Sequence, residues 1–377
     1  MKRKITLLTS IYVLSALFSI SASAYDIEIN GLQYDVVKKA KQASLVYCNK
    51  YEAPKDIEIP STITFENVEC DVTTIKFGSF LGCSDITSVK IPNSITSIEG
   101  KAFYNCYSIE SIVIPNSITS IEDETFWACK NLKSVTLSEN LTNIGDYAFS
   151  CCWNMVSLTI PNSVKSIGKY AFWKCANLTY LTLPNSLETI EEGAFLLCES
   201  LGTIEIPSSV TSIKGEAFKS CKKLSSVKIP NSITSIGISA FGFCDELKDF
   251  YCYAENVPTT STYAFNESYI EYATLHVPAS AIDEYKKAEP WCNFGNIVAI
   301  ENTGIKSVKD RGIAIQSSAG IINISGLENN EKVCFYGIDG KALGSATAIN
   351  GTTSFSAQSG TVVIAKIGKE SIKIAVE

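Results

Sequence analysis

Fourteen cysteines, one histidine and recurring serines and threonines are the groups in this 377-residue chain that could carry chemistry. Thiols can pair as disulfides or, in close sets with histidine, hold a metal. The sequence contains no Cys-x-x-Cys, and the lone His276 has no neighbouring ligand, so no metal site is expected. One histidine also rules out a Ser/His/Asp or Cys/His relay other than one built on His276 itself. No glycine-rich loop leads into a helix to cradle phosphates, so no nucleotide cofactor is expected. The acids Glu122, Asp123, Glu124, Glu191 and Glu192 fall in turns, where they read as caps rather than as two carboxylates across a cleft. No catalytic residue and no cofactor are assigned.

Eight of the cysteines occupy one position of a 23-residue period. Each follows a phenylalanine by three: Phe80/Cys83, Phe103/Cys106, Phe126/Cys129, Phe149/Cys152, Phe172/Cys175, Phe195/Cys198, Phe218/Cys221 and Phe241/Cys244. A fixed period of this length means stacked supersecondary units. Equivalent side chains then point in parallel, which is poor disulfide geometry, and cysteine packs well as a small hydrophobe. The eight are therefore expected to be buried free thiols. Of the rest, Cys48 and Cys70 flank a candidate hairpin and are the best disulfide pair, while the pairing of Cys252, Cys292 and Cys334 stays open.

These residues need elements that repeat with them. In residues 178–200, Leu181 and Leu183 alternate as a strand, Pro184-Asn185-Ser186 turns the chain, and Leu187 to Ile190 form a second short extended piece. Ala194, Phe195 and Cys198 then place Phe and Cys on one face of a helical turn. Three such legs make one coil of a solenoid with short parallel strands. The lead strands turn two rows outward. One row runs Ser88, Ser111, Ser134, Ser157, Tyr180, Thr203, Ser226. The other runs Lys90, Val113, Thr136, Thr159, Thr182, Glu205, Lys228. Solenoids bind on such surfaces, so Lys90, Val113, Thr136, Thr159, Tyr180, Glu205 and Lys228 are the candidate ligand-binding residues. Hydroxyls also simply suit an exposed strand. A second candidate is an aromatic patch of Tyr104, Trp127, Trp153 and Trp173, for which packing between coils is the competing explanation.

At 46% hydrophobic, the chain can bury a long core, and its net charge of −7 disfavours nucleic-acid or anionic-membrane partners. Lys2, Arg3 and Lys4 precede an apolar run from Ile5 to Ile20 and then Ala22-Ser23-Ala24, the pattern of a secretory leader. No later run is long enough to span a bilayer. The expected segments are a signal peptide over 1–24, an N-terminal β cap over 25–75, the solenoid over 76–250 and its C-terminal cap over 251–302. Beyond these, 303–377 reads as a β-sandwich-like module of six or seven short strands.

The repeat L-x-x-(L/V/I)-x-(L/I)-P-x-S-(V/I)-x-S-I-x-x-x-A-F-x-x-C resembles the BspA-like class of bacterial leucine-rich repeats over about residues 57–300. The run from Val277-Pro278-Ala279 through Tyr285, Trp291 and Phe294 resembles that class's closing unit. The resemblance implies an extracellular, adhesion-associated protein of Bacteroidetes type. The C-terminal module is similar to sorting domains of the type IX secretion route at Val333 to Lys341, Gly360 to Ile364 and Ile372 to Ile374. It departs from them at Gly337 and Val362, so a sorting module and a plain Ig-like adhesive or spacer module both stay open. The function expected is non-catalytic binding at the cell surface to extracellular proteins or glycans of host or neighbouring bacteria. The alternatives are a structural surface or matrix protein with no specific ligand, or an enzyme acting on glycans.

Overall fold

The computed structural model describes residues 26–300, 313–318, 320–338, 340–358, 361–368 and 370–376. The leader read over 1–24 lies outside the described residues, as do Asp339 and Gly360 of the C-terminal motifs. The chain divides into two compact units between Ile300 and Glu301.

The first unit is the solenoid. Each coil opens with a lead strand such as Ser111–Val113, Ser157–Thr159 or Thr203–Glu205, whose middle residue is buried while its neighbours face solvent. Within three runs the repeats' lead strands pair in parallel 23 residues apart, with Ser111 beside Ser134, Ser157 beside Tyr180 and Thr203 beside Ser226. A two-residue second strand, for example Ser212–Ile213, pairs the same way with Ser235–Ile236. No coil can bury its own faces, so Ile, Leu, Phe and Cys of each are covered by the next, giving one continuous core from Leu32 to Phe294.

The Phe leg was expected to be a helical turn. It is instead two successive four-residue turns, seen in Ser150 N–H to Tyr147 O at 3.1 Å and Cys152 N–H to Phe149 O at 3.3 Å. Left-handed residues stand two before and two after each Phe, as at Tyr147 (φ 54°) and Cys151 (φ 59°). This frees alternate amides to bond across coils: Phe149 N–H donates to Ala171 O at 2.8 Å. A helical turn would direct those amides within its own coil and forfeit the bonds that hold the stack together.

The phenyl rings stack in one file. Centroids lie 4.9 Å apart for Phe80/Phe103 and 5.5 Å for Phe149/Phe172, with rings within 12° of parallel. Strand spacing of about 4.8 Å sets this distance, and offset stacking suits the ring quadrupoles. Beside the file runs a file of thiols. Each Sγ points at the carbonyl oxygen of the preceding coil's Phe, as in Cys129 to Phe103 at 3.3 Å and Cys221 to Phe195 at 3.4 Å. All fourteen cysteines are free. Cys48 and Cys70, read from the sequence as a disulfide pair, are not bonded. The parallel register of Gln42–Cys48 on Val68–Ile75 sets Gln42 beside Asp71, so Cys48 and Cys70 fall at opposite ends of that pairing. Cys83 Sγ instead lies 3.6 Å from the carbonyl oxygen of Cys48.

Both ends continue the ladders. Ile27–Ile29 and Leu32–Val37 form a hairpin through Asn30 and Gly31, both at positive φ. Asp56–Glu58 pairs with Ser88–Lys90, so the lead ladder already begins within the segment read as the N-terminal cap. The spacing of 32 residues there arises from a hairpin, Thr62–Phe65 with Val68–Ile75, built into that coil. At the other end Asp249–Cys252, Thr274–Val277 and Asn296–Ala299 extend the ladder. The helical stretch expected from Ser280 to Ala288 is a helix over Ile282–Tyr285.

The second unit is all β. A three-stranded sheet (Ala314–Ser318, Ile321–Ser325, Thr352–Ser356) and a four-stranded sheet (Ala342–Thr347, Lys332–Gly337, Val362–Ile367, Glu370–Ala375) share one core. Phe335 and Phe355 stack across it at 4.0 Å. The strand Ala342–Thr347 was not foreseen. Its Gly344, at φ 156°, lies against Phe355, where a Cβ would come within 2.9 Å of the ring.

Candidate functional site

Each lead strand is held by pairing with at least one neighbour and by its inward middle residue, and the ladder is interrupted between Ser134–Thr136 and Ser157–Thr159 and between Tyr180–Thr182 and Thr203–Glu205. On this face a groove of about 580 Å³ opens over the coils that begin at Tyr180, Thr203 and Ser226. Its walls carry Tyr180, Thr182, Asn185, Thr203, Glu205, Ser208, Lys228 and Tyr253. Tyr180 is 62% exposed and Tyr253 40%. Two phenols thus stand exposed at a site whose floor is apolar (Leu183, Ile206, Pro207, Ile229 and Pro230 among others) and whose polar groups are hydroxyls, an amide and one ion pair, Lys228 Nζ to Glu205 at 3.8 Å. Exposed pairs of this kind contribute little stability, so both charges are available to a ligand at small cost.

Of the seven residues proposed from the sequence, Tyr180, Glu205 and Lys228 come together here. Lys90, Val113, Thr136 and Thr159 stand in the same row but beyond the groove. Val113 is 61% exposed, an apolar interruption of the row. Lys90 is paired with Glu58.

Sequence reading missed residues at both ends of the rows. Tyr253 and Tyr251 were overlooked because Phe-x-x-Cys stops at Cys244, although Tyr251 follows Lys228 by the usual 23 and pairs with it. Next in the row, His276 stacks on Tyr251 at 4.1 Å and meets Asp249 at 2.8 Å. It belongs to this polar cluster and to no metal set. Among the described residues no group of three or more His, Cys, Asp or Glu could hold an ion. At the N-terminal end Asp56 accepts bonds from Ser88 at 2.7 Å and Thr87 at 2.8 Å. These donations hold its carboxyl below the usual carboxylate range.

The aromatic patch divides between two files. Tyr104 and Trp127 stack at 4.5 Å in the file directly after the Phe, and Trp173 shares that file beyond the buried Ser150. All three rings are half-buried. Trp153 belongs to the file that follows the Cys and is 43% exposed. Lys130 lies between it and Tyr107, its Nζ 4.8 Å and 4.4 Å from the two rings.

Residues 47–179 and 165–286 match the model of the BspA type leucine rich repeat region, in six copies. Among solved structures the chain is similar to a leucine-rich repeat protein from Bacteroides ovatus, at 26% identity and a TM-score of 0.60 over 73% of this chain and 77% of that one. It is also similar to a leucine rich cell surface protein from Faecalibacterium prausnitzii, at 22% identity and a TM-score of 0.43 over 75% of this chain and 97% of that one. The T. pallidum leucine rich repeat protein aligns at 26% identity and a TM-score of 0.46 over 53% of this chain and 90% of that one. No curated protein matches the chain.

Proposed function

The chain belongs to the BspA-type leucine-rich-repeat family, and from that premise we propose that it is exported to the cell surface, where its lead-strand face binds extracellular proteins or glycans without catalysis. BspA-type repeat proteins are generally cell-surface proteins. Among the described residues no helix is long and apolar enough to cross a membrane. The observation that carries the reading is the groove that brings Tyr180 together with Glu205, Lys228 and Tyr253, across the step between two bonded runs of lead strands. The paired backbone needs no ordering on binding, and tyrosines are favoured as binding anchors.

The test is binding of the full chain to whole cells, matrix proteins and a glycan array, beside a variant carrying Tyr180→Ala, Glu205→Ala and Lys228→Ala. The expected result is a loss of at least about tenfold in affinity with the thermal unfolding midpoint retained. Unchanged binding by the folded variant would remove this face from consideration. The mature N-terminus of the exported protein, expected at Tyr25, checks the leader. The intact mass of the surface-exposed form separates a sorting module, lost on export, from a permanent one.

A further inference from the structure

The file of residues that follows the Cys column reads Tyr107, Lys130, Trp153, Ala176, Glu199, Lys222. Its backbone is pinned coil to coil. The carbonyls of Tyr107, Lys130, Trp153, Ala176 and Glu199 accept from Asn131, Asn154, Asn177, Ser200 and Lys223 at 3.0–3.2 Å. Side chains along this file therefore sit one strand spacing apart, about 4.8 Å. The first three fill their places: the Lys130 ammonium lies between the Tyr107 and Trp153 rings. The fourth does not. Ala176 carries only a methyl, and a hollow of about 230 Å³ opens there, lined by Trp153, Lys174, Ala176, Leu197 and Glu199. None of the lining residues comes from the Lys130 coil, so the hollow lies on the other side of the indole. The file is missing one rung beside an exposed tryptophan.

We propose that this vacant rung is a glycan subsite that takes one neutral pyranose ring, apart from the lead-strand groove. The slot is one coil wide and smaller than the roughly 300 Å³ at which sites for drug-sized ligands begin, so a single flat ring fits it and a folded peptide segment does not. The indole offers an apolar face for the C–H side of a sugar. Lys174 and Glu199 at the rim offer a donor and an acceptor for ring hydroxyls. Glu199 retains acceptor capacity, because its ion pair with Lys222, at 3.0 Å, uses one carboxylate oxygen. Charge argues against other rings. Lys174 and Glu199 set opposite charges at the rim, an arrangement that favours neither a cationic nor an anionic ring. An aromatic side chain such as phenylalanine could bond neither rim group, whereas pyranose hydroxyls can bond both.

The test titrates the full chain with methyl pyranosides of glucose, galactose, mannose and N-acetylglucosamine and with their neutral oligomers, read by tryptophan fluorescence and calorimetry. A single ring should bind with a dissociation constant on the order of 1 mM. Trp153→Ala removes the platform, and Ala176→Leu fills the rung while the backbone pins remain. Each should weaken binding at least about tenfold, and Glu199→Gln should weaken it less. The part of the binding signal that Trp153→Ala removes should persist in Tyr180→Ala, which separates failure here from failure of the lead-strand groove. Full affinity in both folded Trp153→Ala and Ala176→Leu overturns the proposal. So does an absence of binding across the whole panel.

Discussion

Midway along the solenoid Phe172 lies flat between Phe149 and Phe195, within 2° of parallel to both. At the C-terminal end Phe265 still stacks on Phe241 at 14°, but Phe294 and Trp291 then meet it at 80° and 66°. Phe250 meets Phe241 at 87° and Phe265 at 89°, and Tyr285 meets Trp291 at 86°. Parallel rings repeat without limit, since each face that stacks exposes an equivalent face beyond. Perpendicular rings present edges, so the file ends on C–H and polar atoms instead of another open face. The plug also satisfies its own polar tips: Trp291 Nε1 donates to Thr260 Oγ1 at 3.1 Å, and Tyr285 Oη donates to Ala254 O at 2.9 Å. Extension and closure thus use one residue class in two orientations.

The thiol file gives the largest expected contrast. Burial pushes Cys129 and Cys244 up to about 12 from an ordinary 9.0, and Cys252 to about 11. A thiol whose folded pKa is raised stays neutral in the folded chain while the unfolded chain ionises. Its contribution is intact below about pH 9 and is lost as pH rises from there through the folded value. Each such thiol removes about 1.4 kcal/mol per pH unit in that window, and several act together. The urea midpoint should be flat from pH 7 to 8.5 and then fall steeply to pH 11, less steeply in Cys129→Ala. A flat profile to pH 11 would show that the file is wet. Alkylation of the column thiols by iodoacetamide at pH 8 should likewise require unfolding.

The stack and the plug are separated by a pair of truncations. Phe172→Ala removes a ring packed on both faces and should cost about 3–5 kcal/mol. Because coils contact only their neighbours, the loss should divide the solenoid, with raised amide exchange on both sides of the cut. Trp291→Ala should cost toward the lower end of that range. Its exchange increase should be confined to residues near the C-terminal cap. Equal spread of exchange from both variants would show that closure and extension are not distinct jobs.

The stack was legible in the sequence and the plug was not, for a physical reason. Identical coils must repeat identical inward residues, so Phe149, Phe172 and Phe195 announce their contacts by spacing alone. The plug is built once, from Phe250, Tyr285, Trp291 and Phe294, and nothing repeats to betray which edges meet. The binding face divides the same way. Its rows were readable wherever the period held, which placed Tyr180, Glu205 and Lys228. Tyr253 was hidden because it stands where earlier coils carry Pro207 and Pro230 and lies beyond the last Phe-x-x-Cys, and the Asp249–His276 contact because the cap changes its spacing to 25 residues between Tyr251 and His276. The missing rung at Ala176 needed the coil-to-coil bonds that place a residue by what it lacks.

The smallest effect concerns where the thiol file gives way to the plug. Ser268 follows Phe265 as each Cys follows its Phe, and it takes over the same task. Its hydroxyl donates to Phe241 O at 2.5 Å and accepts from Cys244 N–H at 3.0 Å. A buried hydroxyl is thus tolerated at one end of the file. In mid-file, Cys175 Sγ reaches Phe149 O at 3.3 Å, and the same carbonyl already accepts from Cys152 N–H. A serine there has a shorter bond to its oxygen and must stretch to make the contact, while surrounding apolar groups penalise the hydroxyl. Cys175→Ser should therefore cost about 1 kcal/mol, and Ser268→Cys should be near neutral. Both are measured by urea unfolding at pH 7. A mid-file serine without cost would mean that the column selects for a donor to the Phe carbonyl. A cost matching Cys175→Ala would mean that it selects for apolar volume.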